Sequence, residues 1–395
     1  MKYDFSKITD RFNSNSLKWD VKKDELPMWV ADMDFETAPE IIEAIKKKVD
    51  LGIFGYTIIP DDYYSAISKW WSTRHNFNIE KEWILFCTGV VPAISSIVRK
   101  MTNVGDNVLI QSPVYNIFYN SIINNGRKIL SSDLSFDGKN YYIDFEDLEN
   151  KLSKESTTLM ILCNPHNPIG KVWSRETLRK IGELCLKHNV LVISDEIHCD
   201  LTYEDNIYTP FASISSEIAQ NSITCIAPTK TFNLAGLQTS SIVIPNEDIR
   251  RKVNRGINTD EVAEPNAFAI EATIAAFRKG EPWLKELIQY LSSNRELVKQ
   301  FIAKELPQLN LIHSQATYLL WIDCKNITSD SEELCQYIRK ETGLYLSSGA
   351  AYGVNGNGFI RMNIGCPKER LEDGLAMFKK GIENYINLIQ IKGEV

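Results

Sequence analysis

Between residues 84 and 244, short apolar runs alternate with segments whose apolar residues recur at helical spacing. No other feature constrains the fold of this chain so strongly. The runs are Ile84 to Cys87, Val108 to Ile110, Leu159 to Cys163, Val190 to Ile193, Ile223 to Ala227 and Ile242 to Ile244. Each has the length of a strand and lacks a polar face, so each predicts a strand buried on both sides. Amphipathic patterns over 91–101 and 175–187 lie between them. Strands separated by helices predict an α/β domain around a largely parallel sheet. In such sheets ligands bind beyond the carboxyl ends of the strands.

Outside that region the patterning differs. The first ~35 residues read as irregular, after which Thr37 is placed to cap a helix striped by Ile41, Ile42, Ile45 and Val49. A second helix fits Tyr63 to Arg74. Beyond about residue 245 come two long helices (264–279 and 282–305), a strand (Tyr318 to Ile322), a helix (Ser331 to Lys340), a strand (Phe359 to Ile364) and a helix from Pro367. That predicts a smaller α+β domain, and 395 residues suffice for two domains. A net charge of -7 argues against non-specific nucleic-acid binding. No apolar stretch reaches the ~18 residues of a membrane span, and the start MKYDFSKITD lacks the core of a secretory signal, so a cytoplasmic protein is expected. The eight cysteines form no CxxC pair and several sit inside apolar runs, which predicts reduced, packed thiols with no metal.

Residues with chemical potential lie where the runs end. Leu159 to Cys163 leads into Asn164-Pro165-His166-Asn167-Pro168-Ile169-Gly170, Val190 to Ser194 into Asp195-Glu196-Ile197-His198, and Ile223 to Ala227 into Pro228-Thr229-Lys230. Parallel strands end on one side of a sheet, so an amide, a carboxylate and an ammonium converge there. Pyridoxal 5'-phosphate (PLP) needs that set. It needs an amine to hold its aldehyde as a Schiff base, an acid to keep its pyridine nitrogen protonated, and a donor for its phenolate oxygen. Lys230, Asp195 and Asn167 are the candidates. Each alone has a plainer reading as a surface lysine, a helix cap or a turn residue. The ordered set after three successive strands is what points to a cofactor. Thr88-Gly89-Val90-Val91-Pro92 also follows a strand and opens a helix, where unpaired N–H groups attract phosphate.

In this order, NPHNPIG, SDEIH and APTKTFNLAGL resemble fold-type I PLP enzymes of the class I/II aminotransferase group, which are aspartate-aminotransferase-like. WVADMDF (29–35), FGYT (54–57), TGVVPAIS (88–95), SPVYNIFY (112–119), CNPHNPIGKVW (163–173), SDEIHCDL (194–201) and GFIRMNIGCP (358–367) narrow the resemblance to the MalY/PatB cystathionine β-lyase branch. The resemblance implies that Lys230 carries the cofactor and moves protons at the substrate. It implies that Asp195 pairs with the pyridinium, that Asn167 meets the ring hydroxyl and that Tyr115 stacks on the ring. Gly89, Val90 and Thr229 would bind the phosphate, and Arg361 would clamp the substrate α-carboxylate. Tyr56 would reach in from the second subunit of a homodimer. His198 would tune Asp195, line the pocket or pack as a core histidine. Tyr352, in GAAYGVNGNG, would edge the substrate pocket or ride a mobile loop.

Two positions depart from the branch. Relatives often carry arginine eight residues after the lysine and serine three before it, and here those positions are Gln238 and Ala227. Phosphate binding would then lean on the helix start, Thr229 and Tyr56. The implied activity is β-elimination from L-cystathionine or a related S-substituted cysteine, an amino-acid substrate, giving a thiol, pyruvate and ammonia. Transamination by the same residues and a PLP-containing regulator of a protein partner are the alternatives. The implied division is a large domain over 46–280, with a mixed, mainly parallel sheet, and a small one from 1–45 and 281–395. Trp19, Trp29, Tyr56, Tyr115 and Tyr352 suggest either an apolar thioether pocket or plain core.

Overall fold

The computed structural model describes residues 2–203 and 206–392. Seven strands form the larger sheet: β1 (Ile84–Cys87), β2 (Asn107–Ile110), β3 (Lys128–Ser131), β4 (Thr157–Cys163), β5 (Leu191–Asp195), β6 (Ser222–Ile226) and β7 (Ser240–Val243). Their order is β1-β7-β6-β5-β4-β2-β3. β7 runs antiparallel to both neighbours, and the other pairings are parallel. The fold is therefore the expected α/β type with a mixed, mainly parallel sheet.

Both faces of the sheet are covered. Helices α1 (Pro39–Asp50), α2 (Asp61–Arg74), α3 (Val90–Met101), α4 (Arg175–Lys187), α5 (Glu247–Thr259) and α6 (Ala269–Lys279) accompany it. In α3, Val90, Ala93, Ile94 and Ile97 recur at helical spacing and pack with Ile161, Ile193 and Ile223. The alternate strand residues Met160, Leu162 and Val192 pack with Leu178, Ile181 and Cys185 of α4 on the opposite face. Two-sided burial is why these strands read as unbroken apolar runs.

A second sheet holds β8 (Asn310–Leu311), β9 (Leu319–Asp323), β10 (Ser347–Ser348) and β11 (Phe359–Asn363), ordered β8-β9-β11-β10 and antiparallel throughout. Around it lie α7 (Glu281–Glu305), α8 (Ser331–Thr342) and α9 (Lys368–Lys392). Gly280 joins α6 to α7, and a Cβ there would meet the Phe232 ring at 2.3 Å. Only glycine lets the two helices turn that close to the turn carrying Lys230.

Two expectations need correction, and one helix is added. Thr37 does not cap α1: Ala38 is the N-cap, Pro39 opens the helix, and the Thr37 hydroxyl is buried without a partner. The helix expected over 264–279 starts at Ala269, with Phe268 as N-cap, and ahead of it the Asn266 side chain accepts from Phe268 N (3.1 Å) and Ala269 N (3.0 Å) in a separate turn. The sequence reading omitted α5, whose stripe is sparse (Val253, Gly256 and Ile257) among many charges. No described helix is long and apolar enough to cross a membrane.

Candidate active site

β6, β5 and β4 are neighbours in the sheet, and their carboxyl ends deliver Lys230, Asp195 and Asn167 to one cavity. Thr88, Gly89, Val90, Tyr115, His198 and Thr229 line the same cavity. An adjoining cleft shares Lys230 and Tyr115 with it and is also lined by Tyr352 and Arg361. The expected residues thus come together, apart from Tyr56, which is fully exposed on the extended segment between α1 and α2.

The electrostatics follow from burial. Desolvation pushes the Lys230 amine down to about 8, with Arg361 pushing the same way against the pull of Asp32 and Asp195. Its Nζ donates to the carbonyl of Ala31 at 2.7 Å. Burial also pushes the Asp195 carboxyl up to about 7, and the Ile197 N–H at 3.2 Å and the Lys230 charge offset the lost water only in part. His198 is driven down to about 3 by burial and by the nearby Lys230 and Arg361 cations, so it is neutral, and its Nδ1 is buried without a partner. Tyr115 is pushed up to about 12 by burial and stays a neutral phenol.

The helix start has the features an anion needs. Gly89 is the N-cap of α3, and no side chain caps the helix. Proline at 92 has no N–H, and Ala93 N bonds back to Gly89 O at 3.0 Å. The amides of Val90 and Val91 are therefore the first-turn donors at the cavity wall.

Arg361, on β11, donates to the side-chain oxygen of Asn167 at 3.1 Å and to the Trp29 carbonyl at 2.8 Å. Its guanidinium lies over the Tyr352 ring at 4.8 Å, and Nε is buried without a partner. Tyr352 is itself fixed by a 2.9 Å bond between its hydroxyl and Ser347.

The class I and II aminotransferase model matches residues 23–378. The chain belongs to that family. It is 45% identical over 384 residues to cystathionine beta-lyase PatB of Bacillus subtilis (strain 168), covering 96% of this chain and 99% of that protein. Protein MalY of Escherichia coli (strain K12) is 33% identical over 397 residues, covering 98% of this chain and 100% of MalY. The solved structure of cystalysin from Treponema denticola, which contains a pyridoxal 5'-phosphate cofactor, superposes with a TM-score of 0.94 at 33% identity, covering 97% of this chain and 100% of that one. This aminotransferase-family chain thus falls in the MalY/PatB branch and has the fold-type I architecture.

The residues present fit the family's cofactor, PLP. A buried carboxyl of raised pKa, an amine of lowered basicity, a buried imidazole nitrogen lacking a partner and an uncapped helix start suit a protonated ring bearing an aldehyde and a phosphate. Gln238 lines the cavity but is uncharged and held in the left-handed region at φ 49°. The Ala227 methyl supplies no hydroxyl.

Sequence reasoning missed the N-terminal strap over 29–35. Asn233 accepts from Met33 N at 2.9 Å and donates to Met33 O and Phe35 O, each at 2.9 Å. Asn363 donates to the carbonyls of Val30 at 2.5 Å and Asp32 at 2.7 Å. The strap therefore walls the site with backbone carbonyls, for which a sequence has no direct sign. Trp19 is core, its indole N–H bonded to Asp34 at 2.8 Å, and it does not line the site. The aromatic thioether pocket therefore loses that member.

Proposed function

We propose that this chain is a PLP-dependent carbon–sulfur β-lyase that cleaves L-cystathionine or a related S-substituted cysteine to a thiol, pyruvate and ammonia. One observation carries the reading: Lys230, Asp195 and Asn167 converge at adjacent strand ends in a chain 45% identical over 384 residues to a cystathionine β-lyase. When bound, PLP supplies a conjugated electron sink that acidifies the substrate Cα–H.

The chain's own residues do the rest. Arg361 binds the substrate α-carboxylate, where a guanidinium fork matches two oxygens. Asp195 would hold the cofactor's ring-nitrogen proton, its own charge stabilised in return. Val90 N–H, Val91 N–H and the Thr229 hydroxyl, beside Gly89, would hold the phosphate. Tyr115, in the cavity lining, would pack against the ring and exclude water. His198, neutral and buried, fills the wall beside Asp195 without adding charge. With its basicity lowered to about 8, Lys230 is available in part as free amine near neutral pH and takes the Cα proton. The Cβ–S bond then breaks with its electron pair going to sulfur, the Lys230 ammonium returns a proton to the leaving thiolate, and one water hydrolyses the remaining three-carbon enamine, once released, to pyruvate and ammonia.

The chain acts as a homodimer in the cytoplasm. Leu51, Ile53, Phe54, Tyr56 and Ile58 form an exposed apolar stretch, which supports burial against a second copy. Tyr56 on that stretch serves the partner's site. Eight free, buried cysteines support a reducing compartment.

The test is incubation of the PLP-loaded protein with L-cystathionine and no keto acid, measuring pyruvate and free thiol together. Equal yields over many turnovers support elimination. Amino transfer to an added keto acid without thiol release would replace this reading with transamination.

A further inference from the structure

The N-terminal segment brings a pair of opposite charges, Arg11 and Asp32, to the lining of the substrate cleft. Arg11 Nη2 donates to Asp32 Oδ2 at 2.9 Å, with the two side chains 21% and 22% exposed. Both line the cleft that also holds Lys230, Arg361 and Tyr352. Ser14, Asn15, Ser16 and Asn116 line it too, together with the apolar Leu17 and Ile117.

A purely structural account covers only the layer behind. Asp34 is fully buried and saturated by Arg11 (2.7 Å), Lys18 (3.0 Å), the Trp19 indole (2.8 Å) and Arg370 (3.5 Å). That cluster already anchors the strap. Asp32 differs in its exposure: its side chain is 22% exposed, its Oδ2 meets Arg11 and its buried Oδ1 stands 3.9 Å from the Lys18 ammonium. Of the five charged groups in the network, Arg11 and Asp32 are the two that line the cleft.

We infer that Arg11 and Asp32 form a distal subsite for an α-amino-acid head group, the guanidinium taking its carboxylate and Asp32 its ammonium. The inference rests on the β-lyase reading and sharpens it. The preferred substrates are thioethers or disulfides whose leaving thiol carries its own amino-acid head, as in L-cystathionine or L-cystine, over S-alkyl cysteines. Arg361 and Arg11 then grip the two ends of one substrate, and the Cβ–S bond lies between them.

The experiment compares kcat/KM of the PLP-loaded protein for three compounds: L-cystathionine, S-(3-carboxypropyl)-L-cysteine, which lacks only the distal amine, and S-methyl-L-cysteine, which lacks the whole head. S-methyl-L-cysteine reports fold, cofactor and chemistry within each preparation. In Arg11→Gln, the rate constants for the first two, each divided by that for S-methyl-L-cysteine, should fall about tenfold, the scale of one charged hydrogen bond. In Asp32→Asn, only the L-cystathionine ratio should fall. This second variant leaves the Arg11–Asp34 contact in place and tests the subsite independently of it. Unchanged ratios in both variants, whether the rates drop together or stay level, would overturn the subsite. If the wild-type chain eliminates thiol from none of the three, the β-lyase reading is overturned and the subsite with it.

Discussion

Arg361 Nη1 donates to the side-chain oxygen of Asn167 at 3.1 Å, across the gap between the two sheets. Because that oxygen accepts, the amide turns its Nδ2 hydrogens toward the remaining space, which suits donation to the cofactor's phenolate oxygen. The same bond steadies the guanidinium that receives the substrate carboxylate.

Removing Asn167 should therefore harm substrate binding as well as cofactor binding. In Asn167→Ala, KM for L-cystathionine is expected to rise about tenfold, the cost of one charged hydrogen bond, at saturating PLP. Steady-state kinetics check this. A fall in kcat with KM unchanged would mean that Asn167 serves the cofactor alone.

Asp195 gives a pH signature. Its folded-state value of about 7 lies above the ordinary 3.8. Between those values the folded chain keeps a proton that the unfolded chain has released. The stabilising contribution is full below 3.8 and is lost as pH rises through about 7. The cofactor-free Asp195→Asn variant lacks this loss, so it should gain on the cofactor-free wild type in melting temperature as pH rises from 4.5 to 8. Adding PLP should reverse the order at pH 8, because only the carboxylate pairs with a pyridinium. A stability gap independent of pH would contradict the burial argument.

Tyr56 is testable by complementation. Lys230→Ala and Tyr56→Ala homodimers should each be impaired. If Tyr56 serves the partner's site, a hybrid of the two has one site with both residues intact, and mixing after mild unfolding and refolding should restore activity. No restoration would place Tyr56 in its own chain's chemistry or outside the chemistry.

The sheet and its cargo were legible in the sequence for one physical reason. Strands buried on both faces read as unbroken apolar runs, and Asn167, Asp195 and Lys230 each follow such a run. What was not legible lacks periodicity. The strap over 29–35 is held by Asn233 and Asn363, about 200 and 330 residues away in sequence, bonding to its backbone. Arg11 and Asp32 are 21 residues apart in an irregular segment and meet only through that strap. Thr37 has a cap's chemistry, but Pro39 sets the helix start and leaves its hydroxyl idle. The omitted α5 did carry a sign, an Asn246 N-cap accepting from Ile249 N at 3.1 Å ahead of a sparse apolar stripe.

The central claim is that three adjacent strand ends build one PLP site whose amine is Lys230. Borohydride reduction of the PLP-loaded protein, followed by peptide mapping, tests it most directly, because reduction fixes the cofactor to the amine that holds it. The account predicts one pyridoxyl group per chain, on Lys230, and none in Lys230→Ala, which should also lose β-elimination by roughly a thousandfold or more. A label on another lysine, or full retention of activity in Lys230→Ala, would contradict it.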